Sequence, residues 1–196
     1  MNEGYLKDAM RGVAMTHTAG HHSQREVINL KGDRVLLRPL HAGESASLAA
    51  KIAHDPEASP WWGDDSAKVQ RWLDDEESSV FVIDVEGEAA GVIQYEEEND
   101  PDYRFAGVDI ALLSPWIGKG YGFDALRTLA RYLFEVRGHH RLHIDPAVAN
   151  RRAIAAYERV GFRPVGTMRR YERAPDGTWR DSLLMDLLAE ELAAGE

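Results

Sequence analysis

Ile117-Gly118-Lys119-Gly120-Tyr121-Gly122 decides the fold, because the pattern of apolar residues changes period across it. Before it, Phe105 to Leu113 sets Val108, Ile110 and Leu112 against Asp109 and Ala111, the alternation of a strand. After it, Phe123, Leu126, Ala130, Leu133 and Phe134 recur near the helical period and predict a helix from Phe123 to Val136. Arg141 to Asp145 then reads as a second strand, so the glycines open a strand–helix–strand passage.

Working outward, Val35 to Leu40 is a short strand stopped by Pro39, residues 44–53 favour a helix, and Lys68 to Leu73 a second. Val80–Val85 and Ala90–Tyr95 flank the turn Glu86-Gly87-Glu88 and form a hairpin. Arg151 to Val160 is a helix closed by Gly161, followed by strands near Phe162–Arg170 and Trp179–Leu187. The predicted class is α+β, with a mixed, mostly antiparallel central sheet flanked by helices and one central βαβ passage. Residues 1–26, polar and aperiodic around His17, His21 and His22, read as a disordered arm before a single domain at 27–196.

The chain has 196 residues, 44% of them apolar and 29% charged, enough for one full core. With no cysteine, disulfides, cysteine-ligated metal and a thiol nucleophile are excluded. No apolar run approaches the roughly 20 residues of a membrane span, and no secretory h-region is visible, so a cytoplasmic protein is expected. The net charge is −10, and residues 64–109 hold 15 acids against 3 bases. That argues against nucleic acid as a partner. It reads first as a solvated acidic face, and second as a field that concentrates a cationic ligand.

The glycine turn suits a pyrophosphate, since glycines let the backbone approach a ligand and the N–H groups at a helix start are unpaired. A Walker loop fails for want of Ser or Thr after Gly118-Lys119, and a dinucleotide fingerprint would need glycine at Phe123. One strand later stands Asn150-Arg151-Arg152-Ala153-Ile154-Ala155-Ala156-Tyr157-Glu158-Arg159-Val160-Gly161-Phe162.

With that second segment the chain resembles the GNAT superfamily of acyl-CoA N-acyltransferases over about residues 33–188. The resemblance implies a GNAT-like fold with acetyl-CoA as co-substrate and no metal. Gly118, Lys119, Gly120, Tyr121, Gly122 and Asn150 would hold the donor, and Tyr157 would face the thioester sulfur. Ile117 stands where the family usually has Gln or Arg, which removes one side-chain contact. Trp61-Trp62-Gly63, Asp109 and Asp145-Pro146 make it most similar to aminoglycoside 6′-N-acetyltransferases. By that resemblance Trp61, Trp62, Asp109, Asp145 and Glu97 bind the acceptor.

An amine attacks a thioester only in its neutral form, so a polycation needs carboxylates both to hold it and to take a proton. The resemblance then implies Asp109 as base or anchor of a relaying water, Asp145 as binder of the amine and Tyr157 as general acid, with the two aspartates exchangeable. Each has a plainer reading: strand-end Asp145, solvent-facing Asp109, core or rim Tyr157, and tryptophans covering a core edge. His139, His140 and His143 lack a carboxylate pattern for a metal site. Other acceptors remain open, a protein N-terminal amine (Val35–Pro39 is similar to the opening of ribosomal-protein N-acetyltransferases) or a siderophore-type amine, as does a non-catalytic aminoglycoside-binding sensor. A monomer or a homodimer is expected.

Overall fold

A computed structural model describes residues 28–193. The expected N-terminal arm and its histidines lie outside the described residues. One eight-stranded sheet runs β1-β2-β3-β4-β5-β6-β8-β7. Its strands are β1 (Leu30–Lys31), β2 (Leu36–Pro39), β3 (Ser79–Val85), β4 (Glu88–Glu98), β5 (Phe105–Leu112), β6 (Arg141–Ile144), β7 (Arg163–Arg173) and β8 (Trp179–Leu188). The helices are α1 (Glu44–His54), α2 (Ser59–Trp62), α3 (Ser66–Leu73), α4 (Tyr121–Glu135) and α5 (Arg151–Val160). Every neighbouring pair is antiparallel except β5 and β6, the pair joined by the α4 crossover. This is the α+β architecture the period change predicts. No described helix is long and apolar enough to cross a membrane.

Alternation along the strands builds two cores. Ile83, Ile93, Tyr95, Val108, Leu142 and Leu187 pack under α4 and α5. Val82, Val92 and Ala111 pack under α1 and α3 with Leu48, Ile52 and Val69. The centre of the sheet is therefore buried on both faces, which is why β3 and β4 read as nearly continuous apolar runs.

Three differences from the sequence reading have physical causes. β4 runs on to Glu98 because Glu96, Glu97 and Glu98 pair with Gly107, Ala106 and Phe105, so ladder bonds override poor strand propensity. Residues 59–62 form a helical turn despite Pro60, which sits in the first turn, where a missing N–H costs nothing. β7 extends to Arg173 through a bulge between Met168 and Glu172.

One buried charge fixes the start of α4. Asp124, only 4% exposed, accepts hydrogen bonds from the backbone N–H groups of Asp33, Arg34 and Val35 at 3.1, 2.7 and 3.0 Å. The approach needs Gly32, where a Cβ would stand 2.6 Å from Asp124 Oδ2. Asp124→Asn leaves at least one of these donors facing an amide NH2 group. It is expected to cost about 2–3 kcal/mol, a fall in Tm of about 5–10 °C, checked by thermal melting.

Candidate active site

The parallel ladder between β5 and β6 is short: Ala106 pairs with Leu142, Gly107 with His143, and there it ends. Beyond it β5 stays on β4 as far as Leu112, and β6 stays on β8. A wedge opens between the two halves of the sheet. The Leu113 N–H donates to the Ala90 carbonyl at 2.9 Å. By alternation, Val108, Ile110 and Leu112 turn their N–H and C=O groups away from β4, into the wedge.

Asp109 lies on the α1–α3 face of β5, opposite Gln94, and Asp145 follows β6. Tyr157 reaches the wedge from α5, on the other face, where it is 8% exposed. The three still feel one another. Burial pushes the Tyr157 hydroxyl up, and the charges of Asp109 and Asp145 push it further. Burial also pushes Asp145 up, to about 7, with the charge of Asp109 adding to it and a hydrogen bond from Tyr171 opposing it. The Tyr157 hydroxyl therefore keeps its proton at neutral pH, and Asp145 titrates close to it.

Beside Asp145 is a cavity of about 250 Å³. Phe105, Met168 and Leu184 form its apolar wall, and Arg141, His143, Tyr171 and Asp145 its polar one. Burial, then Arg141, holds His143 below the usual imidazole range, so it is neutral near pH 7. Gln94 is 7% exposed, with Nε2 3.5 Å from Asp109 Oδ2 and a buried Oε1 that meets no donor among the described residues. Sequence reasoning missed Gln94, Tyr171 and Glu172, whose charge also reaches Asp145. Tyr171 is aimed by the β7 bulge, where Arg170 has φ +50° and its N–H bonds Asp181 at 2.8 Å.

Residues 55–62 strap the wedge from the α1–α3 face. Asp55 accepts from Ser114 N–H and Oγ, both at 2.8 Å, and Trp62 Nε1 donates to the Ile110 carbonyl at 3.2 Å. Burial works against the Asp55 charge, but its hydrogen bonds outweigh that and hold its carboxyl below the usual range. On the far side Arg180 donates to the Pro60 carbonyl at 2.7 Å, lies 5.3 Å from the Trp61 ring centre and pairs with Glu172. The two tryptophans thus touch opposite walls.

At the end of β5 the glycine turn starts α4 two residues earlier than expected, at Tyr121. Gly118 and Gly120 have φ of +76° and +87°, which side chains disfavour, and no side chain caps the helix start. These N–H groups, with Lys119 beside them, fit a pyrophosphate. Asn150 caps α5 through the Ala153 N–H at 3.2 Å.

Two expectations change. Glu97 is not brought to the site: it lies on the opposite face of β4 from Gln94, paired with Arg137 and His139 at 2.7 Å each. Period two decides this, and Glu96 is the residue on the Asp109 face. Much of the acidic segment is also spent elsewhere. Asp65 caps α3, Asp84 pairs with Arg38, and Asp100 holds a turn. Of the carboxylates, Asp145 lines the cavity; the charges of Asp109 and Glu172 reach it, and those of Glu96 and Asp186 reach His143.

The family described as "Acetyltransferase (GNAT) domain" matches residues 34–163. An aminoglycoside N(6′)-acetyltransferase type 1 of Klebsiella pneumoniae is 32% identical over 139 residues, 60% of this chain and 66% of that protein, just under two thirds of its length. A [ribosomal protein uS5]-alanine N-acetyltransferase of Escherichia coli K12 is 23% identical over 194 residues, 90% of this chain and 98% of that one. A solved aminoglycoside acetyltransferase in complex with coenzyme A superposes with a TM-score of 0.64 at 26% identity, over 79% of this chain and 95% of that one.

The raised pKa of Asp145 has a consequence for stability. The folded state binds the Asp145 proton more tightly than the unfolded chain does, so stability is lost as pH rises from about 4 toward 7. Asp145→Asn removes that dependence. Its unfolding free energy relative to the parent should therefore grow by about 2 kcal/mol between pH 5 and pH 8.5, read from denaturant melts at both pH values.

Proposed function

The chain belongs to the GNAT acetyltransferase family, and from that premise we propose that it carries an acetyl group from acetyl-CoA to the 6′-amino group of an aminoglycoside. The observation that carries this reading is that the charges of two carboxylates, Asp109 and Asp145, reach the buried Tyr157 at the wedge. One face offers uncapped N–H groups for a polyanionic donor, and the other offers Asp109 and Asp145 for a polycationic acceptor.

Roles follow from environment. Asp109, the more exposed carboxylate, holds a cationic ring. Asp145, with a pKa of about 7, takes the proton the attacking amine must lose. The environment of Asp145 supports one of the two assignments the sequence leaves open. Backbone N–H groups of β5 turned into the wedge are suited to the negative charge that builds on the thioester oxygen. Tyr157, kept protonated, supplies the proton to the departing sulfur. The cavity of about 250 Å³ falls below the roughly 300–1,000 Å³ of drug-sized pockets, so it suits one amine-bearing ring, with the rest of the acceptor lying outside. The second reading, a protein N-terminal amine, is favoured by the long match to the ribosomal-protein enzyme.

The test is CoA release from acetyl-CoA, followed with a thiol reagent to which this cysteine-free chain gives no background. Kanamycin and tobramycin should release CoA, and a 6′-hydroxyl analogue should not. Release only with an N-terminal alanine peptide selects the second reading, and tight antibiotic binding without release selects a sensor. Tyr157→Phe should lower kcat by about 10²-fold while the Kd for CoA changes less than about twofold. Unchanged kcat removes the acid role.

A further inference from the structure

The glycine turn is not held by its own segment alone. Arg34, from the turn between β1 and β2, lies against it 85 residues away in sequence. Its Nη1 donates to the Lys119 carbonyl at 2.5 Å and stands 3.1 Å from where a Cβ on Gly120 would be. Its guanidinium sits 4.4 Å from the Tyr121 ring centre. One side chain therefore touches three consecutive residues of the turn.

This placement is built. The three N–H groups locked to Asp124 include that of Arg34 itself, so its backbone is fixed to the first turn of α4. Asp33 beside it pairs with Arg127 of the same helix. The neighbouring acids are thus engaged, Asp124 by backbone donors and Asp33 by Arg127. The cations at the turn, Arg34 and Lys119, face no carboxylate partner in the contacts of the described residues. Lys119 Nζ rests 5.7 Å from the Trp116 ring. A guanidinium has five N–H donors in a planar fork, of which Lys119 takes one.

We propose that Arg34 is a binding residue for the donor's pyrophosphate, gripping it together with the N–H groups at the start of α4. The proposal rests on the reading of the glycine turn as the acetyl-CoA site. It gives the turn a charged contact that Ile117 cannot make.

The test compares Arg34→Ala, Arg34→Lys and the parent with three donors: acetyl-CoA, acetyl-dephospho-CoA, which keeps the pyrophosphate, and S-acetylpantetheine, which carries no phosphate. Arg34→Ala should raise KM for the first two about tenfold with kcat nearly unchanged, the loss of one charge-assisted contact. With S-acetylpantetheine it should match the parent, and Arg34→Lys should restore part of the affinity. An equal rise with all three donors makes Arg34 a structural brace and overturns the proposal. A rise confined to acetyl-CoA moves the contact to the 3′-phosphate and overturns the pyrophosphate assignment. Calorimetry separates the two levels: CoA binding equal in parent and Arg34→Ala overturns the Arg34 role alone. A parent that binds no CoA overturns the donor-site reading and this inference with it.

Discussion

Two residue pairs, Ala106 with Leu142 and Gly107 with His143, are all that join β5 to β6. The site depends on that shortage. In an unbroken sheet the side chains of α5 and those of the α1–α3 face would be separated by a continuous layer of backbone. Here Tyr157 from one face interacts with Asp109 and Asp145 from the other because the layer is open between them. The opening also frees the edge of β5, so that strand backbone, ordinarily consumed by a ladder, becomes available for chemistry.

An open seam in a sheet needs a brace, and the segment 55–62 is one. Its ties differ in value. The Glu57–Arg152 pair is about half exposed on both sides, and such pairs contribute little, about 0–1 kcal/mol. Asp55, partly buried and bonded to Ser114 and to its own loop, contributes more, because removing it would leave donors without acceptors. The Trp62 indole completes the brace by satisfying the Ile110 carbonyl at the wedge edge. Asp145 works the other way: its raised pKa is a cost to folding at neutral pH, sustained by the two apolar cores around it.

What the sequence made legible follows from local rules. The period change at residues 117–122 located the βαβ passage, and alternation put Asp109 and Val108 on opposite faces. Tyr157, Asp109 and Asp145 came through resemblance of paired motifs, and in the fold the charges of both aspartates reach Tyr157. What escaped was decided by pairing rather than composition. Tyr171 reaches Asp145 through a bulge that breaks the period-two count, and nothing in Met168–Glu172 announces it. Glu97 and Glu96 are chemically alike, and only the register against β5 separates them. The acidic run at 64–109 looked like one field, yet its charges are divided among caps, turns and ion pairs on several elements.

On the proposed reading, the same division of faces lets a chain of net charge −10 serve a polyanion and a polycation at once. Cations gather at the glycine turn, where Arg34 and Lys119 stand at the end of β5. At the cavity stands Asp145, on which the charges of Asp109 and Glu172 act. Opposite charges in solution would associate before reacting, since attraction is indifferent to which atoms meet. A sheet between the two binding regions blocks that association everywhere except the wedge. On the proposed reading, a thioester and an amine can therefore approach only at the seam, where the charge of Asp145 reaches Tyr157, and the geometry of the seam does the work of orientation.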